Sequence, residues 1–363
     1  MENEVRPSVR QRDREGRFPS EEIKKLAELG CCGMLLPGEW GGPGLDTVSY
    51  VLMLEEVARV DAAMATSLSV TNSAVQAPFL SFGSEAQKKK YLRRLATGEI
   101  LGAFCLTEPQ AGSDAAGLQA RAVRDGHGYK LNGTKTWVSN GSVAGVFIVF
   151  AKTDPNAGGK GISAFLVEPG FKGFRVGRHE EKMGQHSSPS VEIVLNDCEV
   201  PCENRLGEEG QGLKIALSAL DGGRIGIAAL AVGLAQGALE ESAKYAKQRR
   251  AFGKNIAEFQ AIQWMLADMQ TEIEAGRLLV HHAAWIKDSG GRMGAASSKA
   301  KLFASEMANR VVAKAVQIHG SVGYSRETDV ERMYRDARVI TIYEGTSEVQ
   351  RMIIARDLLG REA

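Results

Sequence analysis

This 363-residue sequence has no excess of charge of either sign. Its 45 Lys plus Arg residues face 44 Asp plus Glu residues, a balance that gives no support to nucleic-acid binding or to attachment to an acidic membrane surface. No apolar stretch approaches the roughly 20 residues that cross a bilayer, and the polar start Met1-Glu2-Asn3-Glu4 has no hydrophobic signal core. We therefore expect a cytoplasmic protein that binds neither nucleic acid nor membrane.

Cysteine is too sparse and irregular to define a metal site or a disulfide framework. The sequence has five cysteines, an odd number, and six scattered histidines, with no ligand spacing among them. Free thiols in a reducing compartment fit this usage best, and we predict no metal site. Two common nucleotide-binding signatures, Gly-x-Gly-x-x-Gly after a strand and the Walker sequence, are also missing.

Hydrophobic patterning divides the chain into three parts. Helical spacing runs from about residue 18 to 96, and short Val-, Phe- and Ile-rich runs between glycine turns then predict a compact antiparallel sheet or barrel. Longer helical patterns return after Gly212 and predict a helical bundle. The predicted fold is α+β and mostly α, with an N-terminal helical domain (1–101), a middle β domain (102–211) and a C-terminal bundle domain (212–363). The expected helices include 21–29, 47–60, 212–248, 257–288, 293–319 and 346–359, and the expected strands include 145–152, 162–168 and 191–195.

A single carboxylate, Glu344, is the strongest candidate for catalysis. It follows the apolar and aromatic pair Ile342-Tyr343 and precedes Gly345. Ser347 and Gln350 then have the spacing of a capping box that opens a helix. A carboxylate between apolar neighbours and a helix N-terminus is suited to act as a general base, because the loss of water raises its pKa. The alternative is an ordinary, partly exposed acid near a helix start.

Three further clusters offer binding groups. Residues 104–114, at the junction of the helical and β patterns, supply hydroxyls and the amides of a Pro/Gly turn. Trp137 ends a strand and has an indole that can cover a flat ring, and Ser139 should point to the same side of the strand; ordinary barrel packing is the alternative for this tryptophan. Residues 320–323, Gly-Ser-Val-Gly, would contact phosphate through backbone N–H groups or simply end a helix.

Together these motifs resemble the acyl-CoA dehydrogenase family. The likeness is carried by residues 105–117, 137–140, 248–253, 317–336 and 344–346, in the family's order and spacing, and it covers essentially the whole chain. It implies an N-terminal helical domain, a middle antiparallel β-barrel and a C-terminal four-helix bundle. It also implies FAD as cofactor, an acyl-CoA as substrate, electron-transferring flavoprotein as partner, and a homo-oligomer, usually a tetramer.

The resemblance assigns roles to residues by position. Glu344 would remove the α-proton of an acyl thioester while its own backbone N–H holds the thioester oxygen, and the β-hydride would pass to N5 of FAD. Trp137 would cover the flavin ring, and Ser139 would hydrogen-bond near N5. The other residues expected to bind FAD are Phe104, Leu106, Thr107, Gly112, Ser113, Val138, Arg249, Phe252, Gln317, Ile318, Gly320, Ser321, Thr346 and Glu348, of which Arg249, Phe252 and residues 317–321 would reach the FAD of a neighbouring subunit. The residues expected to bind acyl-CoA are Ser113, Asp221, Arg224, Tyr343 and Gly345.

Two features bear on the choice of substrate. Some relatives carry their base on the bundle helix at the position that is Gly223 here, so Glu344 is the sole candidate, an arrangement that resembles short-chain and short-branched-chain dehydrogenases. Gln185 and Pro189 depart from the usual family pattern, and His186, which receives no role, is expected on an exposed loop. We expect conversion of a short or short-branched acyl-CoA to the trans-2-enoyl-CoA in fatty-acid β-oxidation. The alternatives are an acyl-CoA oxidase of the same fold, for which the chain is short, and a catalytically silent oligomeric scaffold.

Overall fold

The computed structural model describes residues 1–360, and its N-terminal part is helical. Asp46, Asp61 and Ser84 each begin a helix by accepting a hydrogen bond from a backbone N–H of its first turn. The helices predicted at 21–29 and 47–60 are confirmed. The helices are α1 (Arg6–Glu15), α2 (Ser20–Glu28), α3 (Thr47–Ala58), α4 (Ala62–Ser69), a π-helix (Val70–Gln76), α5 (Ala77–Phe82) and α6 (Glu85–Ala96).

The middle part of the chain forms an eight-stranded sheet. Its strands are β1 (Leu101–Cys105), β2 (Arg121–Asp125), β3 (Gly128–Ser139), β4 (Ala144–Lys152), β5 (Ile162–Val167), β6 (Phe174–His179), β7 (Ser190–Pro201) and β8 (Arg205–Leu206). The pairs β2–β3, β4–β5 and β6–β7 are antiparallel, as expected for strands that follow each other through short connections. The three predicted strands are confirmed as β4, β5 and β7, of which β5 ends one residue earlier than predicted.

The sheet is open and mixed, so the prediction of a closed antiparallel barrel is corrected. Its order is β6-β7-β3-β2-β4-β5-β8, and within residues 1–360 the two end strands do not pair with each other. β1 lies parallel to β4, with Ala103 opposite Phe147, and β2 meets β4 in the same sense at Arg121 and Lys152. Turn residues predict the pairing of strands adjacent in sequence. β1 follows α6 and is not joined to its partner β4 by a hairpin, so turn residues could not predict this pairing.

The C-terminal part is a helical bundle. Its elements are α7 (Gly212–Gln248), β9 (Arg250–Ala251), β10 (Lys254–Asn255), α8 (Gln260–Asp288), α9 (Gly294–His319), α10 (Asp329–Arg338) and α11 (Ser347–Leu358). The four predicted bundle helices are confirmed as α7, α8, α9 and α11. α10 was not predicted because most of its residues are charged, yet its apolar residues Val330, Met333 and Ala337 are buried on one side. The predicted third domain also includes residues 361–363, which lie outside the described residues, and the domain boundaries stay a prediction.

α7 is the central helix of the core. Cβ atoms built at Gly233 and Gly237 would each lie 2.2 Å from a carbonyl oxygen, of Glu55 and of Arg59 respectively, so glycine allows α3 and the residue after it to lie directly on α7. By length and composition α7 is apolar enough to cross a membrane, which corrects the expectation that no stretch approaches that length. Inside this protein 78% of its apolar window is buried, the pattern of a core helix.

Candidate active site

Glu344 lies in the turn between α10 and α11. Its φ is 56° and that of Gly345 is 89°, and the left-handed region is strained for a residue with a side chain. Gln350 holds the turn from α11, because its Nε2 donates to the carbonyl oxygens of Glu344 at 3.2 Å and of Gly345 at 2.9 Å. Lys301 holds it from α9, donating from Nζ to the Gly345 carbonyl at 2.6 Å. The strained backbone at Glu344 is therefore fixed by two neighbouring helices.

The helix after this turn does not begin as predicted. Thr346 is its N-cap, and the Thr346 hydroxyl accepts a hydrogen bond from the N–H of Val349 at 3.3 Å. The predicted capping box of Ser347 and Gln350 is wrong, because Gln350 uses its amide on the turn that contains Glu344. Glu348 is exposed in the first turn of α11, where the backbone N–H groups and the Thr346 hydroxyl lower its pKa.

The carboxylate of Glu344 lies against the backbone of α7 at Gly223. A Cβ built at Gly223 would lie 2.6 Å from Oε2 of Glu344 and 2.9 Å from both Oε1 and Cδ. These separations are well below van der Waals contact, so position 223 accepts only glycine while the carboxylate stays in place. Gly223 therefore provides the space that the carboxylate of Glu344 occupies.

The surroundings of Glu344 bring its pKa close to neutral pH. Burial raises its pKa from the ordinary 4.5 to about 7, against the opposing effect of Arg224 and Lys301. The residue as a whole keeps some exposure, but Oε2 is buried and has no hydrogen-bond partner among residues 1–360. A carboxyl group in this state can accept or donate a proton near neutrality, as general acid–base catalysis requires.

Asp221 and Arg224 lie on α7 on either side of Gly223. Arg224 donates from Nη1 to Oδ1 of Asp221 at 2.6 Å, and the two side chains are 6% and 33% exposed. Burial raises the pKa of Asp221, and the charge of Arg224 opposes that rise. Nε of Arg224 is buried and lacks a partner in the described part of the chain. The charge of Arg224 thus acts on the Glu344 carboxylate, and Asp221 is paired with Arg224.

Tyr343 is held by groups from two distant parts of the chain. Its hydroxyl accepts a hydrogen bond from Nε2 of Gln185 at 3.4 Å and lies 3.5 Å from Oγ1 of Thr66, which donates to Oε1 of Gln185 at 2.8 Å. Burial raises the pKa of Tyr343 to about 12. His186, expected to be exposed, is only 27% exposed, and its Nδ1 lies 3.2 Å from Oδ1 of Asp13. The atypical loop that contains Gln185 therefore reaches the residue beside Glu344.

A buried ion pair anchors the loop that follows β1. Nζ of Lys135 donates to Oε1 of Glu108 at 2.6 Å, and the side chains are 0% and 2% exposed. The same carboxylate accepts hydrogen bonds from the backbone N–H groups of Gln119 at 2.6 Å and Ala120 at 2.9 Å. The N–H of Thr136 donates to the Thr107 carbonyl at 2.9 Å. Residues 106–120 are thus fixed to the strand that leads to Trp137.

The predicted flavin residues near this loop differ in exposure. Phe104 belongs to β1 and packs against Phe150, with ring centroids 4.9 Å apart. Leu106 is buried, and Gly112 and Ser113 are exposed in the loop. A Cβ at Gly112 would have no heavy atom of residues 1–360 within 4 Å. The loop therefore presents backbone and hydroxyl groups to open space beside β1.

Trp137 is at a bulge, which corrects the expectation of regular alternation. Its φ is 59°, the register of β3 against β7 shifts between Lys135 and Val138, and strict alternation from Trp137 to Ser139 does not hold through such a shift. The indole is 58% exposed, whereas Val138 is buried. Asn140, the first residue after β3, donates from Nδ2 to the carbonyl of Ser67 on α4 at 3.1 Å. A large aromatic face is thus exposed at a strand end that is tied to α4.

The remaining predicted flavin residues lie at the other end of the bundle. Arg249 and Phe252 follow the end of α7, and the Phe252 side chain is 94% exposed with a φ of 50°. Residues 317–321 span the C-terminal end of α9 and lie near the end of α7. There the ring of His319 stacks on Tyr245, with ring centroids 4.4 Å apart. The part of α7 from Gly223 to Gln248 spans roughly 38 Å. Within one chain, the structure therefore does not bring this group to Glu344.

Four contributors to the site were not recognised from the sequence: Lys301, Gln185, Lys135 and Glu108. Each acts through a contact with a distant segment, and periodicity cannot show such contacts. Lys135 carried the clearest available signal, since a lysine lies among the alternating residues of a strand that ends in the Trp137 motif.

Comparison with known proteins identifies the family. Residues 1–99, 103–198 and 210–359 match the N-terminal, middle and C-terminal domains of acyl-CoA dehydrogenases. The chain is 46% identical to a short-chain specific acyl-CoA dehydrogenase of Clostridium acetobutylicum, covering 98% of this chain and 93% of that protein. It is 48% identical to the caffeyl-CoA reductase-Etf complex subunit CarC of Acetobacterium woodii, covering 95% and 91%. The structure of butyryl-CoA dehydrogenase from Megasphaera elsdenii superposes with a TM-score of 0.97 at 47% identity, covering 99% and 94%.

The chain therefore belongs to the acyl-CoA dehydrogenase family. It is a flavoprotein oxidoreductase, and FAD is its cofactor.

Proposed function

We propose that this protein dehydrogenates a short or short-branched acyl-CoA to the trans-2-enoyl-CoA and passes the electrons to an electron-transferring flavoprotein. The observation that carries the proposal is the Glu344 carboxylate, buried against Gly223 with Oε2 free of any partner in residues 1–360. We also propose a role in fatty-acid β-oxidation and a location in the cytoplasm.

Glu344 acts as the base that takes the α-proton of the thioester. Its pKa of about 7 leaves a substantial ionised fraction at neutral pH, and the unpaired Oε2 is available to the substrate. The backbone N–H of Glu344 makes no hydrogen bond to the described residues, so it is available to the thioester oxygen. That contact stabilises the charge that develops as the proton leaves. Gly345 gives the turn the shape that aims both groups at one ligand.

The residues around Trp137 fit a flavin. An indole with 58% exposure at a fixed bulge offers a flat apolar face, and Thr136 Oγ1 is a buried hydroxyl without a partner in the described part of the chain. We propose that Trp137 and Val138 flank the ring and that Ser139 hydrogen-bonds to it. The loop after β1 would complete the site through Phe104, Leu106, Thr107, Gly112 and Ser113, and α11 through Thr346 and Glu348. When bound, FAD supplies the acceptor for the β-hydride.

The distance along the bundle supports a homo-oligomer. Arg249, Phe252 and residues 317–321 lie roughly 38 Å along α7 from Gly223, too far to reach the same flavin as Glu344 in one chain. The exposed Phe252 ring and the Gln317, Ile318, Gly320 and Ser321 segment would instead contact the FAD of a second copy. We propose that the protein is a homotetramer in which these residues complete the site of a neighbouring subunit.

Side chains around Glu344 leave little room for a long acyl group. Tyr343 is tied to Thr66 and Gln185 on one side. On α7, a Cβ at Gly226, three residues after Gly223, would meet Tyr50 Oη at 2.8 Å and Ser69 Oγ at 2.7 Å. We propose that these groups limit the acyl chain to a few carbons. Asp221, Arg224 and Ser113 would bind the thioester and pantetheine part of the substrate.

Anaerobic addition of acyl-CoA esters to the FAD-loaded protein tests the proposal. Butyryl-, isobutyryl- or 2-methylbutyryl-CoA should bleach the oxidised flavin absorbance, and octanoyl-CoA should do so much more slowly. If none of these thioesters reduces the flavin, the dehydrogenase proposal fails. Stoichiometric release of hydrogen peroxide in air would instead identify an oxidase.

A second candidate is the reverse reaction, reduction of a 2-enoyl-CoA. It is favoured by the 48% identity to a caffeyl-CoA reductase-Etf complex subunit and by the pKa of about 7 of Glu344, which also allows this residue to return a proton to the α-carbon. Initial rates with crotonyl-CoA and reduced electron-transferring flavoprotein, compared with butyryl-CoA and the oxidised flavoprotein, distinguish the two directions.

A further inference from the structure

Lys301 is a buried lysine to which the proposed reaction gives no role. It lies on α9, its side chain is fully buried, and its Nζ donates to the carbonyl of Gly345, the residue after the base, at 2.6 Å. Among residues 1–360 its ammonium forms no ion pair with a carboxylate. Burial of an uncompensated ammonium is unfavourable, and a methionine would fill the same volume at no such cost. The charge therefore calls for an explanation beyond packing.

Among residues 1–360, two cations face the Glu344 carboxylate, and they are not equivalent. Arg224 approaches from α7 and has the larger effect on the carboxylate, and it also donates to Asp221 at 2.6 Å. Lys301 approaches from α9 and has no carboxylate partner in the described part of the chain. The remaining titratable groups of residues 1–360 that face Glu344 are the hydroxyls of Tyr50 on α3 and of the adjacent Tyr343. Both are neutral because burial raises the pKa of each to about 12.

The groups around Lys301 lead to the same conclusion. Besides Glu344 and Arg224, they are Glu348 on α11 and Glu306 on α9. Glu348 is exposed, and Glu306 accepts a hydrogen bond from Arg351 at 2.6 Å. Burial lowers the pKa of Lys301 to about 8, and the charge of Glu344 is the largest effect that opposes this fall. Glu344 is thus the principal buried counter-charge of Lys301, whereas Glu344 itself feels both cations, Arg224 more strongly than Lys301.

We propose that Lys301 is a positioning residue for the reaction, whose buried charge keeps Glu344 ionised at neutral pH while its hydrogen bond to Gly345 fixes the turn that carries the base. The inference rests on the proposed role of Glu344. Burial alone favours the protonated carboxyl group, which cannot accept a proton from the substrate. After Glu344 has accepted the proton, the ammonium loses its counter-charge, which favours release of that proton before the next turnover.

The pH dependence of flavin reduction tests this role. Lys301→Met removes the charge and keeps the length of the side chain, and Gly345 still accepts a hydrogen bond from Gln350. In the pH profile of the rate constant for flavin reduction by butyryl-CoA, we expect the apparent pKa of the acid limb to rise by about one unit or more. The rate should then be about fivefold lower near pH 7 and approach that of the unmodified protein near pH 9. Lys299→Met, at an exposed position on the same helix, should leave the limb in place.

Two results would overturn the inference: an acid limb that does not move, or a rate lowered by the same factor at every pH, which a purely structural role would produce. Lys301→Gln is neutral but polar, and the same upward shift is expected for it. Lys301→Gln replaces the methionine variant in this test if the methionine variant does not retain FAD.

A measurement without substrate separates this inference from the proposed function. Difference infrared spectra of the FAD-loaded protein report the protonated carboxyl band of Glu344, which is assigned by its loss in Glu344→Gln. We expect a titration midpoint of about 7 in the unmodified protein and a higher midpoint in Lys301→Met. Equal midpoints would refute the role of Lys301 even if dehydrogenation proceeds. A shifted midpoint in a protein that no acyl-CoA reduces would support Lys301 while the proposed function fails.

Discussion

Replacement of Gly223 by alanine tests how tightly Glu344, the proposed base, is held in position. The added Cβ would lie 2.6 Å from Glu344 Oε2, whereas non-bonded heavy atoms prefer about 3.5 Å, so the carboxylate must move by about 0.9 Å. The group that must move is the end of a side chain, and alanine is the better helix former by about 1 kcal/mol. The fold should therefore tolerate the substitution while the base is displaced.

A displacement of this size should lower the rate of proton abstraction by about 10²-fold, because catalysis depends on the base lying within hydrogen-bond reach of the proton. The assay is the rate constant of flavin reduction by butyryl-CoA in anaerobic stopped flow, with the melting temperature recorded in parallel.

Gly222→Ala is the matched control. It adds the same methyl group to the preceding residue of α7, where the nearest atom, Lys287 Nζ, is at an ordinary contact distance of 3.8 Å. The control should reduce its flavin at the normal rate and be at least as stable. Normal reduction by Gly223→Ala, or an equal loss in both variants, would show that the contact between Gly223 and the carboxylate does not govern the reaction.

Three further predictions concern the cofactor site and pH. Lys135→Met leaves Glu108 buried without its partner and should destabilise the FAD-free protein by about 3–5 kcal/mol and weaken FAD binding at least tenfold. Lys130→Met, on the same strand, removes a half-exposed ion pair with Asp125 and should change stability by no more than about 1 kcal/mol and leave FAD binding unchanged. Trp137→Ala should weaken FAD binding by about 1–3 kcal/mol, measured as the dissociation constant, if the indole stacks on the ring. Glu344 binds its proton more tightly in the folded than in the unfolded protein, so ionisation of Glu344 lowers the free energy of unfolding as pH rises from about 5 to 7. Glu344→Gln does not ionise, and its free energy of unfolding should therefore gain up to about 3 kcal/mol relative to the unmodified protein over that window. A gain that is constant with pH in denaturant titrations would contradict the raised pKa.

The helices could be predicted from the sequence because they leave local signals, and Glu344 could be singled out as a candidate base from its local setting. The stripe of Ala300, Phe303, Met307 and Val311 marks the buried side of α9, and it predicts a helix whatever packs against it. The same pattern cannot show that Lys301, beside the stripe, is buried by a turn that comes much later in the chain. A local hydrophobic pattern shows which side of a helix is buried, and it does not show which segment of the chain packs against that side.

Pairings across the chain were the part that could not be predicted. Lys135 and Glu108 are 27 residues apart, and only the fold of the loop after β1 brings them within 2.6 Å. Gly223 could be recognised as a position without a base, but its contact with the carboxylate of Glu344 depends on how α7 meets the last turn. β1 pairs with β4 in parallel because of the path of the chain, which hairpin signals do not describe.

The central claim is that Glu344 removes the α-proton, and Glu344→Gln tests it most directly. The amide keeps the size of the side chain and cannot accept the proton. With FAD still bound, flavin reduction by butyryl-CoA should slow by about 10²–10⁴-fold or more, whereas Glu21→Gln, an exposed acid on α2, should react normally. Reduction of the flavin in Glu344→Gln at close to the normal rate would contradict the account.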